Sequence, residues 1–235
     1  MSDKVDLKLD WCSYHAAKYA VEHWHYSKTM PASKTVKVGV WEDGSFIGCV
    51  IFSRGSNQHL GNAYGLSINE VTELTRVAFS KHKSFTSSII SKALNFLKKQ
   101  SPGLRLVVSY ADVDKGHHGG IYQASNWVYI GKVQLGGGTP KFMIHGIVKH
   151  SRSIGSVFGT GSQNIAWLQS HVDPNATKVF TLGKHKYLYP LDEAMRKQIE
   201  TLRKPYPKRD TREIDNAPES NLETEGASPI VSLLL

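Results

Sequence analysis

An aspartate that closes an apolar run and a tyrosine ten positions later are the residue types of a proton-transfer pair. Asp112 ends the run Leu104 to Ala111, and Tyr122 follows in Ile121-Tyr-Gln-Ala124. A carboxylate at a strand end can accept a proton, and a phenol on a short helix can supply one. Each also has an ordinary use: aspartates cap turns, and tyrosines pack in cores with a satisfied hydroxyl. Arg76 lies in the run Val71 to Phe79, where a buried arginine needs a partner such as Glu73 or Asp112. It could position an anionic group, or the pair could be purely structural. His25 sits in His23-Trp-His-Tyr-Ser-Lys-Thr-Met-Pro31, dense in aromatic and titratable groups. His117 and His118 follow Asp112. With Asp112 they contain the types of a two-histidine, one-carboxylate iron site. Adjacent histidines have no spacing that specifies a metal, so iron is the lesser reading.

The elements around these residues read as strand, polar loop, helix, strand. Val71 to Phe79 is the first strand and Leu104 to Ala111 the second. Between them Ile89, Ile90, Ala93, Leu94 and Leu97 fall on one helical face, and Pro102-Gly103 stops the helix. Such a βαβ unit joins neighbouring strands by a right-handed crossover. Ligands sit at the carboxyl ends of these strands, so Phe79 and Asp112 mark two ends that face one site. The loop Ser80 to Ser88 carries Lys81, His82, Lys83, Ser84, Thr86, Ser87 and Ser88. These could bind phosphate by charge and hydroxyls. The plainer alternative is a serine-capped helix start with a solvated basic turn.

Upstream, residues 1–10 are polar and expected to fray. Ser13 to His25 reads as a helix with Ser13 as its N-cap. Val36 to Trp41 and Ser45 to Phe52 read as a hairpin across Glu42-Asp-Gly44. Downstream of Gly131 the pattern is less regular. Phe142 to Val148 reads as a strand, Arg152 to Gly161 as a loop, and Asn164 to His171 as a helix capped by Ser162. Val179 to Leu182 and Lys186 to Tyr189 read as a second hairpin, and Leu191 to Leu202 as a helix. The organisation is therefore a flexible start over 1–10, one domain over 11–205 whose regularity weakens from about 132, and an acidic, disordered tail over 206–235. Ile230 to Leu235 forms an apolar end suited to docking.

A hydrophobic content of 40% over 235 residues suffices for a core. The two cysteines, Cys12 and Cys49, are expected as buried free thiols. The absence of a signal peptide and of a long apolar span points to a reduced, soluble protein of the cytoplasm. The net charge is +9, and the body from Met1 to Pro207 carries +12. Such a body attracts polyanions such as nucleic acid, a phosphate-bearing cofactor or an anionic membrane, or is merely a solvated basic face.

The order of elements resembles the GNAT acyltransferase superfamily, with Ile121-Tyr-Gln-Ala-Ser-Asn-Trp-Val-Tyr-Ile-Gly131 as its most specific segment. A narrower resemblance rests on His25-Tyr-Ser-Lys-Thr-Met-Pro31, Glu73-Leu-Thr-Arg-Val77, Ser109-Tyr-Ala-Asp112 and Gly116-His-His-Gly-Gly-Ile-Tyr-Gln-Ala124. These are similar to the Mom family of phage DNA-modification proteins. The resemblance implies an α/β fold with a mixed central sheet flanked by helices and a C-terminal extension. It also implies carbamoylmethylation of adenine in double-stranded DNA, in the cytoplasm of a bacterial host, as protection from restriction. Asp112 is then the base, Tyr122 the acid or orienting group, Arg76 the positioning cation, and His25 a substrate-side acid, base or base-edge contact. Tyr26, Ser27, Lys28, Ser109, Tyr110, His117 and His118 fall on the substrate side. Val77, Phe79, Lys81, His82, Lys83, Ser87 and Ser88 fall on the donor side. Trp24, Tyr26, Tyr64 and Tyr110 could stack a flipped adenine, with core packing as their ordinary use. An ordinary N-acetyltransferase and a non-catalytic DNA-binding antirestriction protein are the other readings.

The donor is constrained by chemistry. Coenzyme A enzymes of that superfamily hold the pyrophosphate on a glycine-containing loop, and Ser80 to Ser88 has no glycine. Acetyl transfer would also leave an acetyl amide on adenine. A glycyl ester offers both carbons and the nitrogen of a carbamoylmethyl group. Glycyl-tRNA is therefore the favoured donor, and acetyl-coenzyme A with metal assistance is its competitor.

Overall fold

Two apolar repeats of helical spacing each form a helix that covers one side of a sheet. Helix α1 (Tyr14–Trp24) buries Ala17, Ala20 and Val21, and Ser13 caps it by accepting from the Ala16 N–H. It follows the short strand β1 (Leu7–Trp11). The hairpin β2 (Thr35–Glu42) and β3 (Ser45–Ser53) turns at Asp43 and Gly44, both at positive φ (50° and 80°), as a tight hairpin turn requires. Strand β4 (Val71–Phe79) leads to α2 (Thr86–Gln100), which buries Ile89, Ile90, Ala93, Leu94 and Leu97. Strand β5 (Leu106–Asp112), the single-turn α3 (Gly120–Gln123) and β6 (Val128–Val133) complete the unit read from the sequence. The computed structural model describes residues 5–55, 58–133, 140–179 and 182–208.

The chain then builds a small separate sheet from β7 (Lys141–Ile144), β8 (Ile147–His150) and β9 (Thr177–Val179), with α4 (Ser151–Phe158) and α5 (Ile165–His171) inserted before β9. It returns as β10 (Lys184–Pro190) and ends in α6 (Glu193–Glu200). The main sheet has seven strands in the order β1-β2-β3-β4-β5-β10-β6. Its neighbours are antiparallel except β4 and β5, which are parallel. This is the expected mixed α/β architecture.

Alternate residues of β3 point to opposite faces. Val50 and Phe52 pack beneath α2 with Val38, Val40, Trp127 and Tyr187. Cys49 and Ile51 pack beneath α1 with Ala78. On that second side Met195 and Ile199 of α6 close over Leu106, Val108 and Leu188. Both cysteines are buried and free.

Several local expectations are corrected. Leu7–Trp11 does not fray, because β1 pairs antiparallel with β2 and so extends the sheet edge. The stretch Phe142 to Val148 is two strands broken at His145 and Gly146, both at positive φ. Residues 151–158 are helical although glycine- and serine-rich, since Ile154 is buried against Phe142, Ile144 and Leu168. The cap of α5 is Asn164, whose side chain accepts from the Trp167 N–H, and not Ser162. β9 and β10 do not pair with each other: β9 joins β7, and β10 inserts between β5 and β6. Tyr206 donates to the Trp127 carbonyl at 2.6 Å, so the body continues past residue 205. The rest of the acidic tail, with Ile230 to Leu235, lies outside the described residues.

Asp192 fastens α6 to the sheet. Its Oδ1 accepts from the Met195 N–H at 2.7 Å, and its Oδ2 accepts from Arg105 Nε at 2.7 Å. Asp192→Ala removes the cap and frees the guanidinium, and should cost about 1–2 kcal/mol. Arg105→Ala keeps the cap and should cost less. Denaturant midpoints of the two variants measure the difference.

Candidate active site between diverging strands

The parallel pair β4 and β5 is in register only from Val71↔Leu106 to Leu74↔Ser109. Beyond Leu74 the two strands part. A bulge in the β3–β4 ladder falls there, between Ile51↔Arg76 and Phe52↔Leu74. Thr75 is the extra residue, and its hydroxyl donates to the Ile51 carbonyl at 3.1 Å. Such a bulge bends its strand. β5 meanwhile stays paired with β10 as far as Asp112↔Lys184. The parting leaves a cleft of about 590 Å³, lined by residues of β4, β5, α3 and the loops after α1 and β5.

At the apex, Ser109 Oγ lies 2.9 Å from the Leu74 carbonyl and 2.8 Å from the Tyr122 hydroxyl. A hydroxyl has one proton, and the carbonyl can only accept. Ser109 therefore donates to Leu74, and Tyr122 donates to Ser109. Burial pushes the Tyr122 phenol up to about 12. Tyr122 is a neutral hydroxyl whose lone pairs remain to accept. To act as an acid it must turn its proton away from Ser109.

The loop from Gly116 to Gly120 forms one wall. Tyr187 donates to the His118 carbonyl at 2.5 Å and accepts from Gln123 Nε2 at 3.2 Å. Gly119 has φ 83°, and a Cβ there would meet the Tyr187 ring at 2.4 Å, so only glycine fits. His117 and His118 both line the cleft, and Tyr26 meets the His117 ring edge-on at 5.0 Å.

The opposite wall is His25 and Tyr26, held by Arg76. Arg76 Nε donates to the Thr29 carbonyl at 3.0 Å, and its NH1 donates to the Thr75 carbonyl at 2.7 Å. Neither Glu73 nor Asp112 is its hydrogen-bond partner, contrary to the pairing expected from the sequence. The guanidinium ties the loop after α1 onto β4. His25 is buried, and its Nδ1 accepts from the Ser27 N–H at 3.1 Å and lies 2.8 Å from the Ser27 hydroxyl. That fixes the neutral ring proton on Nε2. Burial, then Arg76, His117 and Lys28, lower the His25 pKa to about 4. Ser27 and Lys28 support the loop and do not line the cleft; Lys28 Nζ donates to the His23 carbonyl at 2.8 Å.

Asp112 stands outside the lining of the cleft. Its Oδ1 accepts from the Asp114 N–H at 3.1 Å, the turn-capping role weighed from the sequence. Its charge still reaches Tyr26, whose phenol is raised by burial and then by Asp112. The carboxylate inside the cleft is Glu73. It points where the Gly55 backbone comes so close that a Cβ there would lie 2.6 Å from Glu73 Oε2. Burial raises its pKa against the pull of Lys184, Arg76 and Lys186. Lys186 is held below its ordinary value by burial, with Glu73 opposing, and its Nζ lies over the rings of Tyr64 and Tyr110 at 5.2 and 5.9 Å. From the sequence Glu73 has no catalytic role beyond its place in the Glu73-Leu-Thr-Arg-Val77 motif and as a partner for Arg76, and Lys184 has none. A charged residue in the middle of an otherwise strand-like run was the available signal for Glu73.

On the donor side, Val77 lines the cleft, and Phe79 meets the His82 ring edge-on at 5.4 Å. His82 is bound at both nitrogens, Nδ1 to the Ser80 carbonyl at 2.8 Å and Nε2 to the Thr86 hydroxyl at 3.1 Å. The Lys83 ammonium donates to Asp43 at 3.0 Å, and Lys81 is exposed. The N-cap of α2 is Phe85, without a side-chain cap bond, so no serine caps this helix. The Ser87 carbonyl accepts from the Ser91 hydroxyl at 2.9 Å, and Ser88 is exposed. Among the described residues no three His, Cys, Asp or Glu side chains converge as a metal site. The iron set weighed from the sequence is therefore not assembled there.

His25 predicts a pH dependence. Its folded pKa near 4 lies below the ordinary 6.5, so between these values the unfolded chain binds the extra proton. Stability is complete above about pH 6.5 and falls as the pH drops toward 4. His25→Gln should flatten this part of the profile. Thermal unfolding of both proteins between pH 7 and pH 4 measures it.

A model of the Mom protein family matches residues 6–208. The chain is 23% identical over 210 residues to the methylcarbamoylase Mom of Escherichia phage Mu, covering 86% of this chain and 84% of the relative. Among solved structures it is similar to an aminoglycoside 6'-acetyltransferase type Ii, with TM-score 0.44, 9% identity, and coverage of 79% of this chain and 97% of that one. The aminoglycoside 6'-N-acetyltransferase from Enterococcus faecium gives 0.43, 8%, 79% and 97%. Those two likenesses are distant, and the architecture described above rests on the strand order itself. With the family match spanning nearly all of the described body, this chain belongs to the Mom protein family.

Proposed function

We propose that this chain is a transferase that places a glycine-derived carbamoylmethyl group on the exocyclic amine of adenine in duplex DNA. The observation that carries the reading is the cleft between β4 and β5, which holds a desolvated carboxylate, Glu73, together with Arg76, Lys184 and the Tyr122 hydroxyl. Membership of the Mom family and the methylcarbamoylase name of the phage Mu relative support the choice of reaction. The +12 charge of the body supports a duplex substrate.

An adenine within a duplex must leave the stack before its amine can react. The cleft volume of about 590 Å³ suits one flipped base, with Tyr26 and Tyr110 as aromatic surfaces. The adenine amine is a poor nucleophile because its lone pair is delocalised into the ring. It needs orientation and a proton acceptor. Glu73 suits that task better than Asp112. It lines the cleft and burial raises its basicity, whereas Asp112 spends an oxygen on capping a turn. His25 presents an Nε2–H donor, and Tyr122 a hydroxyl at the apex.

The donor is a glycyl ester, of which glycyl-tRNA is the cellular example. The adenine nitrogen attacks the ester carbonyl, the ester oxygen leaves with a proton, and a glycyl amide forms. The free glycyl amine then attacks the ring carbon and closes a five-membered spiro ring. The bond from that carbon to the original nitrogen breaks, and a proton passes to the departing nitrogen. The product carries NH–CH2–CO–NH2, and no oxidant or reductant is needed.

Mass spectrometry of nucleosides from DNA of cells expressing the protein tests the reading. A carbamoylmethyl deoxyadenosine is expected. Unmodified DNA together with acetylated amines would select an ordinary N-acetyltransferase instead. Glu73→Gln should lower modification by roughly 100-fold or more. Asp112→Asn should lower it by only about tenfold, through a weaker cap on the turn that leads from Asp112 to His117. Loss of activity in the Asn variant with the Gln variant intact would return the base to Asp112.

A further inference from the structure

The turn between β4 and α2 already holds an anion of its own. Glu42, at the end of β2, is buried. Its Oε2 accepts from the Lys83 N–H at 2.7 Å, and its Oε1 accepts from the Ser84 N–H at 2.8 Å. Two successive backbone amides converging on one group make a small anion-binding concavity. Here one carboxylate fills it with both oxygens, in short charge-assisted bonds. Burial works against that charge, but the bonds from Ser84 and Lys83 outweigh it and hold the Glu42 pKa below the usual carboxylate range. Glu42 is therefore an anion at neutral pH.

The neighbouring Asp43 completes the arrangement. It takes the Lys83 ammonium at 3.0 Å, while its Oδ1 accepts from the Asp6 N–H at 2.9 Å. The hairpin tip thus brings two carboxylates to one turn and neutralises both the amides and the nearest lysine. His82 has no free ring nitrogen. Phe85, where the helix begins, is a bulky side chain that is 83% exposed.

We infer that Glu42 is a specificity-determining residue, a resident anion that keeps phosphate and pyrophosphate groups of a donor out of the turn between β4 and α2. The inference rests on the transferase reading for its purpose, but not for its test. A diphosphate entering this turn would have to displace a carboxylate that already satisfies both amides. It would also meet the charge of Asp43 beside it. A donor that binds through an ester and an amine meets no such barrier, because nothing in its reacting part needs this turn. The selection is against a charged group rather than for a particular donor.

The test is binding, and needs no turnover. Wild-type protein, Glu42→Gln and Glu42→Ala are titrated with inorganic pyrophosphate and with coenzyme A by calorimetry. The amide resonances of Lys83 and Ser84 are followed in parallel. Wild-type protein should give no saturable millimolar binding at this turn, and its two amides should stay in place. The Gln variant, close in shape but uncharged, should bind pyrophosphate about tenfold more tightly or better. The Ala variant should gain at least as much if it folds. Two results overturn the inference. One is wild-type binding of either probe that shifts the Lys83 and Ser84 amides. The other is a folded Gln variant that gains no affinity. Neither result bears on whether the protein modifies DNA, which the nucleoside analysis decides separately.

Discussion

The site depends on one break in hydrogen bonding. β4 and β5 run as partners through Leu74 and Ser109 and then separate. Carbonyl and amide groups freed in a sheet interior must find other partners or solvent. Three local devices make the separation stable. The bulge at Thr75 bends β4, and its hydroxyl ties the bend to β3. Arg76 takes the Thr75 carbonyl and fastens an incoming loop to the same strand. Ser109 answers the Leu74 carbonyl with its hydroxyl at the point where the ladder stops. Each device also places a group that faces the cleft, so the opening and its lining arise from the same contacts.

The cleft is an electrostatic compromise. Glu73 has its charge disfavoured by burial, yet three cations lie near enough to oppose that effect. Lys186 feels the same conflict from the other side. Burial thus makes Glu73 a stronger base than an exposed glutamate, while the cations hold that effect in check. The wall with His25 follows a simpler rule. Nearby positive charge and burial both keep the imidazole neutral, which leaves it as a hydrogen-bond donor of fixed direction.

Much of the frame was legible because it is local. Ile89 to Leu97 repeats with a helical period, and Asp43-Gly44 has the turn chemistry of a hairpin; both hold in the structure. The grouping of His25, Arg76, Tyr122 and the two histidines around one space was legible as motifs. Glu73 was not, because its surroundings come from segments distant in the chain, the Gly55 backbone and the lysines of β10, and such contacts have no local signature. The role of Glu42 was hidden for a similar reason. Its partners lie about forty residues away, at the end of a different strand. β10 was misread as half of a hairpin, since pairing between distant strands leaves no trace in the residues between them. Helix α4 was missed because burial of Ile154 outweighs the poor helical propensity of its glycine and serines.

The position of β10 has a consequence for how the molecule comes into being. β5 and β6 flank a slot whose occupant is made after the whole of the smaller sheet. While the chain is being synthesised, both strands carry bare edges that could pair with each other or with another nascent chain. The loop at Gly119 also lacks its seal until Tyr187 arrives to bind the His118 carbonyl. Maturation is therefore a late, long-range event, slow by the measure of the contacts it must close. A chain cut off within the smaller sheet holds the sequences of α1, α2 and α3 but lacks β10 and α6, and its cleft is unfinished.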